Sequence, residues 1–379
     1  MAAPRPSLTL GIEEEYLLVD PASGELVVEQ PEGFMAACRE RLGAQVTHEL
    51  LASQVEVNSG ICADIGELRR ELRRLRRTVA EVAADFGLAI VATSTHPLAS
   101  WRRTRRVDVE RYRILTQDLQ ALARRLVVCG MHVHAGIEDD DLRIDFMNQV
   151  AYFLPHLLAL STSSPFWEGQ DTGLKSFRPT IFGDLPRSGM PETFESYREW
   201  QRLLEIMAAS GVCDDPTKIW WDVRPSAKQP TLEMRICDIC TRIEDALTIA
   251  ALYQAILSML FRLRASNQRW RTYRRILLDE NKWRAQRWGV EGQLADYGAL
   301  ELKPMSRLVD ELLDLVKEDA MALGSLAEVA RARHIVEEGT SADHQLRIYR
   351  QAREAGAEEL EARREVARWL VRETLSGLQ

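Results

Sequence analysis

The chain is poor in the residues from which most metal and nucleotide motifs are built, with 7 histidines and 6 cysteines among 379 residues. A zinc ribbon needs two CxxC pairs. Only Cys237-Asp238-Ile239-Cys240 occurs, where a strand is expected to end, so structural, reduced thiols are expected. Neither G-x-x-x-x-G-K-[ST] nor G-x-G-x-x-G is present, which excludes a nucleotide held by these glycine-rich loops. The longest apolar stretch, 246–261, is interrupted by Tyr253 and Gln254 and is short for a membrane span; a buried helix is expected there. The segment Met1-Ala2-Ala3-Pro4-Arg5-Pro6 has no apolar signal core. A net charge of −8 argues against a general nucleic-acid binder. These absences predict a cytoplasmic protein with neither membrane nor nucleic acid as partner.

What is present is a set of four short stretches with a two-residue period, each carrying ionisable side chains on one face. Gly11-Ile12-Glu13-Glu14-Glu15-Tyr16 aligns Glu13 with Glu15. Gln54-Val55-Glu56-Val57-Asn58 aligns Gln54, Glu56 and Asn58. Gly130-Met131-His132-Val133-His134 aligns His132 with His134, and Thr231-Leu232-Glu233-Met234-Arg235 aligns Glu233 with Arg235. The opposite faces are taken as apolar. A single Glu-x-Glu is most often a solvated face, and Glu-x-Arg is commonly an intrastrand ion pair. Four such stretches together favour one shared site. On one sheet these groups would repel and resist desolvation unless cations compensated them. Carboxylates with few imidazoles suit Mg²⁺ or Mn²⁺. An arginine among them points to a bridging anion, phosphate being the usual one. The pattern predicts a metal–nucleotide site on an antiparallel sheet.

Along the chain, Asp20–Gly24 is expected as a hairpin loop between 16–19 and 26–28, and 67–86 as a helix. That helix carries Arg69, Arg70, Arg73, Arg74, Arg76 and Arg77, read as a solvated face. Strand 88–92, an arginine-rich segment 101–112, read either as an anion contact or as surface charge, and helices at 111–126 and 144–161 follow. The aperiodic, aromatic stretch 164–191 reads as a loop folding over substrate, with Lys175 and Arg178 as anion contacts. Residues 191–211 read as helix; 219–223 and 232–236 read as paired strands, with Arg224 and Lys228 in their connection. From 244 onward the pattern is almost wholly helical, with amphipathic runs at 306–329 and 342–375. The expected fold is α+β, one domain over 1–379, with a sheet-bearing part (8–240) and a mainly helical carboxyl-terminal part (244–379).

The stretches above, with Thr95-His96-Pro97 and 171–186, resemble the glutamate–cysteine ligase superfamily, in its YbdK-like carboxylate–amine ligase branch (glutamate–cysteine ligase type 2). The resemblance covers most of 8–260 in order, and two of the strands also look like those of glutamine synthetase. It implies a curved antiparallel sheet of glutamine-synthetase-like type holding ATP and two or three divalent ions. Glu13, Glu15, Glu56, His132 and Glu233 would be metal ligands, with Glu56 and Arg235 catalytic. Arg235, His134 and Arg224 would contact ATP or phosphate, and Arg178 and Lys175 the substrate. The implied reaction joins a carboxylate to an amine through an acyl phosphate, by default L-glutamate and L-cysteine, in a homodimer. The alternatives are another amino acid–amine pair, or a metal-dependent amide hydrolase using His132 and His134. The second is disfavoured because carboxylates outnumber imidazoles in the motifs.

Overall fold

The computed structural model describes residues 4–378. Among them, seven strands form one antiparallel sheet: β1 (Leu10–Val19), β2 (Val46–His48), β3 (Gln54–Asn58), β4 (Ala89–Val91), β5 (Met131–Gly136), β6 (Val223–Pro225) and β7 (Thr231–Met234). The order is β6-β7-β5-β1-β3-β2, with β4 pairing the far half of β1. β1 is central because it is long enough to take β5 and β3 on its two edges. The protein is thus α+β with an antiparallel sheet, as the alternation predicts.

The period of two gives the sheet its two sides. Leu10, Ile12, Tyr16, Val55, Val57, Met131, Val133, Leu232 and Met234 are buried on one side, where helix Ile65–Asp85 packs on β1 and β4 and helix Ile243–Ala265 packs on β1 and β5. The second of these is long and apolar enough to cross a membrane, and most of it is buried within the protein. One continuous apolar core runs from Leu8 to Leu378, so the carboxyl-terminal helices pack into the same interior as the sheet.

The back of the sheet is not wholly apolar, contrary to the alternation reading. Glu14 lies there, fully buried, and so does Arg76, which is no part of a solvated helix face. Arg76 Nη2 donates to Glu14 Oε1 at 2.6 Å, and its Nη1 donates to the Thr241 carbonyl at 2.7 Å. Tyr16 completes the contact by donating its hydroxyl to Glu14. Removing one member of such a pair strands a buried charge and costs about 3–5 kcal/mol. Arg69 and Arg73 are also engaged, both on Glu244.

The Asp20 loop forms as expected: Gly24 (φ 70°) donates to the Asp20 carbonyl, and the Asp20 carboxylate accepts from Ala22 and Ser23. Its return arm is a single bridge, Val19 to Leu26, rather than a strand. The carboxyl-terminal third departs from the all-helical expectation at Gln293–Asp296 and Glu301–Pro304, a hairpin. Asn281 anchors it through both amide atoms to the Ala295 backbone. The 342–375 run is two helices, Ser341–Glu354 and Glu359–Thr374, separated near Gly356 (φ 91°).

Candidate active site

Strand register puts the polar residues of five strands in rows across the side of the sheet that bears Glu13 and Glu15. Glu13 lies opposite both Asn58 and His132, Glu15 opposite Glu56, and His134 opposite Glu233, which in turn faces Arg224. Neighbouring strands lie about 4.8 Å apart, so side chains in one row meet without any loop rearrangement. Arg224 belongs to β6, not to the connection where the sequence placed it.

Two groups of potential cation ligands result, each with its ligand atoms within 4.8 Å of one another: Glu13, His134 and Glu233, and Glu15, Glu49 and Glu56. The first carries its own counter-charge. His132 Nδ1 lies 2.8 Å from Glu13 Oε2, and His134 Nε2 lies 3.3 Å from Glu13 Oε1. Arg224 grips Glu233 with Nε at 2.9 Å and Nη2 at 3.1 Å, and Arg235 donates to the same carboxylate. Burial opposes ionisation of Glu13 and Glu233, yet the imidazoles beside Glu13 and the guanidiniums beside Glu233 hold both well below the usual carboxylate range. Burial and the Arg235 charge push His132 down to about 4, which leaves it a neutral imidazole with Nε2 buried and unpartnered.

The second group has far less compensation. Burial, then the charge of Glu56, pushes Glu15 up to about 7, against the pull of Arg178 and Arg235. Burial with the charges of Glu15 and Glu56 pushes Glu49 well up, and burial with Glu13 raises Glu56. Neutral donors serve some of the oxygens: Gly130 N–H to Glu15 at 2.8 Å, and Asn58 and Thr47 to Glu56 at 2.8 and 3.1 Å. Three half-buried carboxylates with so little positive charge form a donor set suited to a hard divalent cation such as Mg²⁺ or Mn²⁺. The residues present therefore fit a metal.

Sequence reasoning missed Glu49. It follows the short strand β2, whose Thr47 pairs with Glu56, but no alternation marks it. His134 joins the first group directly, whereas the resemblance gave it a phosphate contact. Arg224 is spent on Glu233 and on the carbonyls of Thr217 and Ile219 (3.0 and 2.5 Å), so it is a clamp on that carboxylate. The Lys175 ammonium is taken by Asp343 and by Glu291 at 2.9 Å, and its polar partners thus belong to the carboxyl-terminal part rather than to the sheet.

Arg178 does reach the site's border. It begins a short helix, Arg178–Gly183, inside a stretch whose aperiodicity reflects dense local bonding. Buried Asp238 accepts from Ser163 N–H (2.8 Å) and Ser164 Oγ (2.7 Å), and Ser164 Oγ in turn accepts from the Phe177 and Arg178 backbones. Arg178 lies across Gly130, where an added Cβ would stand 2.5 Å from Nη2. A side chain at this position, ahead of Met131-His132-Val133-His134, would push the Arg178 guanidinium aside.

Cys237 and Cys240 are free and buried, like the other four cysteines, and burial pushes the Cys237 thiol up to about 12. They are inert structural thiols.

A sheet-borne acidic face with arginines at its edge, lacking a glycine-rich phosphate loop, is the arrangement of an ATP-dependent carboxylate–amine ligase, and the comparisons agree. Residues 9–366 match the model of glutamate–cysteine ligase family 2, so the chain belongs to that family. It is 51% identical over 377 residues to a Rhodospirillum rubrum protein named "Putative glutamate--cysteine ligase 2", covering 98% of this chain and 97% of that one. A Jannaschia protein of the same name is 50% identical over 363 residues, covering 96% of each. Among solved structures, the fold is similar to that of a glutamate–cysteine ligase from Francisella tularensis in complex with AMP (TM-score 0.72, 14% identity, 98% of this chain and 90% of that one). It is also similar to a bifunctional glutathione synthetase from Pasteurella multocida (TM-score 0.67, 15% identity, 97% and 53%).

Proposed function

We propose that this enzyme joins L-glutamate to L-cysteine at the expense of ATP, giving γ-glutamylcysteine, ADP and phosphate by way of an acyl phosphate. The observation that carries this reading is the pair of carboxylate groups meeting on one sheet face beside Arg235. A carboxylate is a poor electrophile, so one of its oxygens must first become a leaving group. The substrate carboxylate attacks the γ-phosphorus of ATP, and ADP departs. The amine then attacks the acyl carbon, loses a proton, and phosphate leaves.

Glu13, His134 and Glu233 on one side, and Glu15, Glu49 and Glu56 on the other, would hold Mg²⁺ or Mn²⁺, with neutral His132 beside them. Bound there, the ions supply the positive charge that lets two anions approach. Arg235, fixed against Glu233 and 3.3 Å from His132 Nδ1, stabilises the equatorial oxygens of the transferring phosphoryl group. Arg224 keeps Glu233 ionised and in place.

The family membership and structural likeness support glutamate and cysteine as the substrates, and the continuous core supports a single domain over 1–379. A homodimer belongs to the same reading through the resemblance, and a cytoplasmic location through the six unpaired cysteines.

The test is ADP release with Mg²⁺–ATP across a panel of amino acids and amines, with mass spectrometry of the products. ADP that appears with glutamate and cysteine together, alongside γ-glutamylcysteine, is the expected result. A condensation product from another pair would replace the substrates and keep the chemistry. No ADP with any pair, and amide hydrolysis by a zinc-loaded protein, would overturn the reading.

A further inference from the structure

Away from the acidic face the described residues enclose a cavity of about 450 Å³, inside the range of roughly 300–1,000 Å³ that small-molecule sites occupy. It shares no lining residue with the two carboxylate groups. Its walls come from the helix Asp140–Val150 and Ala151 after it, from residues 191–193, and from the start of the helix Arg275–Trp288 with residues 272–274 before it. Asn148 fixes the second of these segments, donating to the Phe194 carbonyl at 2.7 Å and accepting from the Phe194 N–H at 3.2 Å. Nothing in the ligase reading uses this cavity.

The lining divides by chemistry. Ala151, Pro191 and Leu278 are buried and apolar, while Thr193, Thr272, Arg274 and Arg275 stand exposed around them. Arg275 is shared between Glu192 (Nη1 to Oε1, 2.7 Å) and Asp279 (3.5 Å). Arg274 has no hydrogen bond or ion pair from its side chain among the described residues, so one positive charge on this rim is unmatched. A dianion would gain from Arg274 and lose against Glu192 and Asp279. A bare inorganic anion would leave the apolar residues against water. A singly charged organic anion answers both, with its charge on Arg274 and an apolar body on Ala151, Pro191 and Leu278.

Contacts run from this cavity to Arg235. Arg275 lies over Gly189, where an added Cβ would stand 3.3 Å from Nη2. The Gly189 carbonyl accepts from the Asp222 N–H at 2.8 Å, and the Asp222 carbonyl accepts in turn from the Arg235 N–H at 2.8 Å. The Asp222 carboxylate accepts from Lys282 Nζ at 2.6 Å, and Lys282 stands one turn beyond Leu278 on the same helix. Both routes end on the residue that holds the Arg235 backbone. The Arg275–Glu192 pair is about half exposed, and surface pairs of this kind are weak, so an anion in the cavity can draw Arg275 away at little cost.

We propose that this cavity is an effector site for a small organic monoanion, which takes its charge to Arg274 and Arg275 and lowers turnover by displacing Arg235. An occupant that pulls Arg275 off Gly189 disturbs the bond to Asp222, and through it the backbone of the arginine. A misplacement of about 1 Å in such a group can cost about 10²-fold in rate. The cavity lies apart from the acidic face, so the effector lowers kcat and raising the substrates does not relieve it. The inference lies beyond the ligase reading and takes from it only ADP release as a readout.

The experiment is calorimetric titration of the full-length protein with naphthalene-2-carboxylate and with its uncharged carboxamide, followed by ADP release at saturating probe. The carboxylate should bind one-to-one and at least about tenfold more tightly than the amide, because only it carries the charge that Arg274 lacks. Prior saturation with Mg²⁺–ATP should leave that binding in place. Arg274→Ala alters an exposed side chain that holds nothing else, so the fold should survive while the carboxylate weakens at least about tenfold. In the unaltered protein the probe should lower kcat for ADP release at least about fivefold with KM little changed, and in Arg274→Ala the same concentration should have no effect. No binding, equal binding of carboxylate and amide, equal binding by Arg274→Ala, or displacement by Mg²⁺–ATP would overturn the site. Binding that depends on Arg274 yet leaves ADP release unchanged would overturn the link to Arg235.

Discussion

The two carboxylate groups on the sheet differ in how their charge is met. Glu13 and Glu233 sit among His132, His134, Arg224 and Arg235, and are held ionised by the protein itself. Burial raises Glu15, Glu49 and Glu56 alike, helped by the charge of Glu56 on Glu15, of Glu15 and Glu56 on Glu49, and of Glu13 on Glu56. The first group is preorganised by protein charge; the second is built around positive charge that the chain supplies only in part. A third arrangement sharpens the contrast. Glu14, between Glu13 and Glu15 in sequence, faces the core and is satisfied by Arg76 and Tyr16. Three consecutive glutamates thus serve two different purposes because the strand alternates.

The largest effect is expected at the preorganised group. Glu233→Gln should lower turnover by about 10²–10³-fold, since it frees Arg224 and Arg235 from their shared anion. ADP release against a circular-dichroism check of folding measures this; a rate within twofold of the unaltered enzyme would remove Glu233 from the site. Arg235→Lys should lower turnover by about 10²-fold, because one ammonium cannot reproduce the guanidinium fork.

On the core side, Arg76→Met should cost about 3–5 kcal/mol of stability, read from denaturant unfolding. The double variant Glu14→Leu/Arg76→Met should recover much of that loss, as no buried charge is then stranded. If the double variant were no better than the single, the pair would not act as a charge-compensated unit. The smallest effect belongs to the second group: in metal-free buffer at a pH high enough to ionise Glu49, Glu49→Gln should raise the melting temperature by on the order of 1–2 °C, because it relieves repulsion among the three carboxylates. A fall would mean that Glu49 is satisfied by contacts that the protein already makes.

Strand alternation carried much of this site into view from the sequence. Glu13, Glu15, Glu56, His132, His134 and Glu233 lie on short strands whose opposite faces are largely apolar, and register alone then joins them. What was hidden depends on contacts between segments far apart in the chain. Glu49 reaches Glu56 from beyond a three-residue strand. Arg76 pairs with a residue 62 positions earlier, so a helix read by itself makes it look solvated. Lys175 meets Asp343 across 168 positions, and nothing local distinguishes that lysine from a substrate contact. The 293–304 hairpin is four residues per arm and depends on Asn281 from the preceding helix, too little for a periodic signal.

The contrast between the two carboxylate groups is tested most directly by the Mn²⁺ dependence of ADP release, measured for the unaltered enzyme and Glu49→Gln at saturating glutamate, cysteine and ATP. The account predicts that Glu49→Gln needs at least about tenfold more Mn²⁺ for half-maximal rate, because one ligand of a cation-dependent group is gone. Superimposable Mn²⁺ curves would contradict it and would leave the second group as buried acids without a cation to serve.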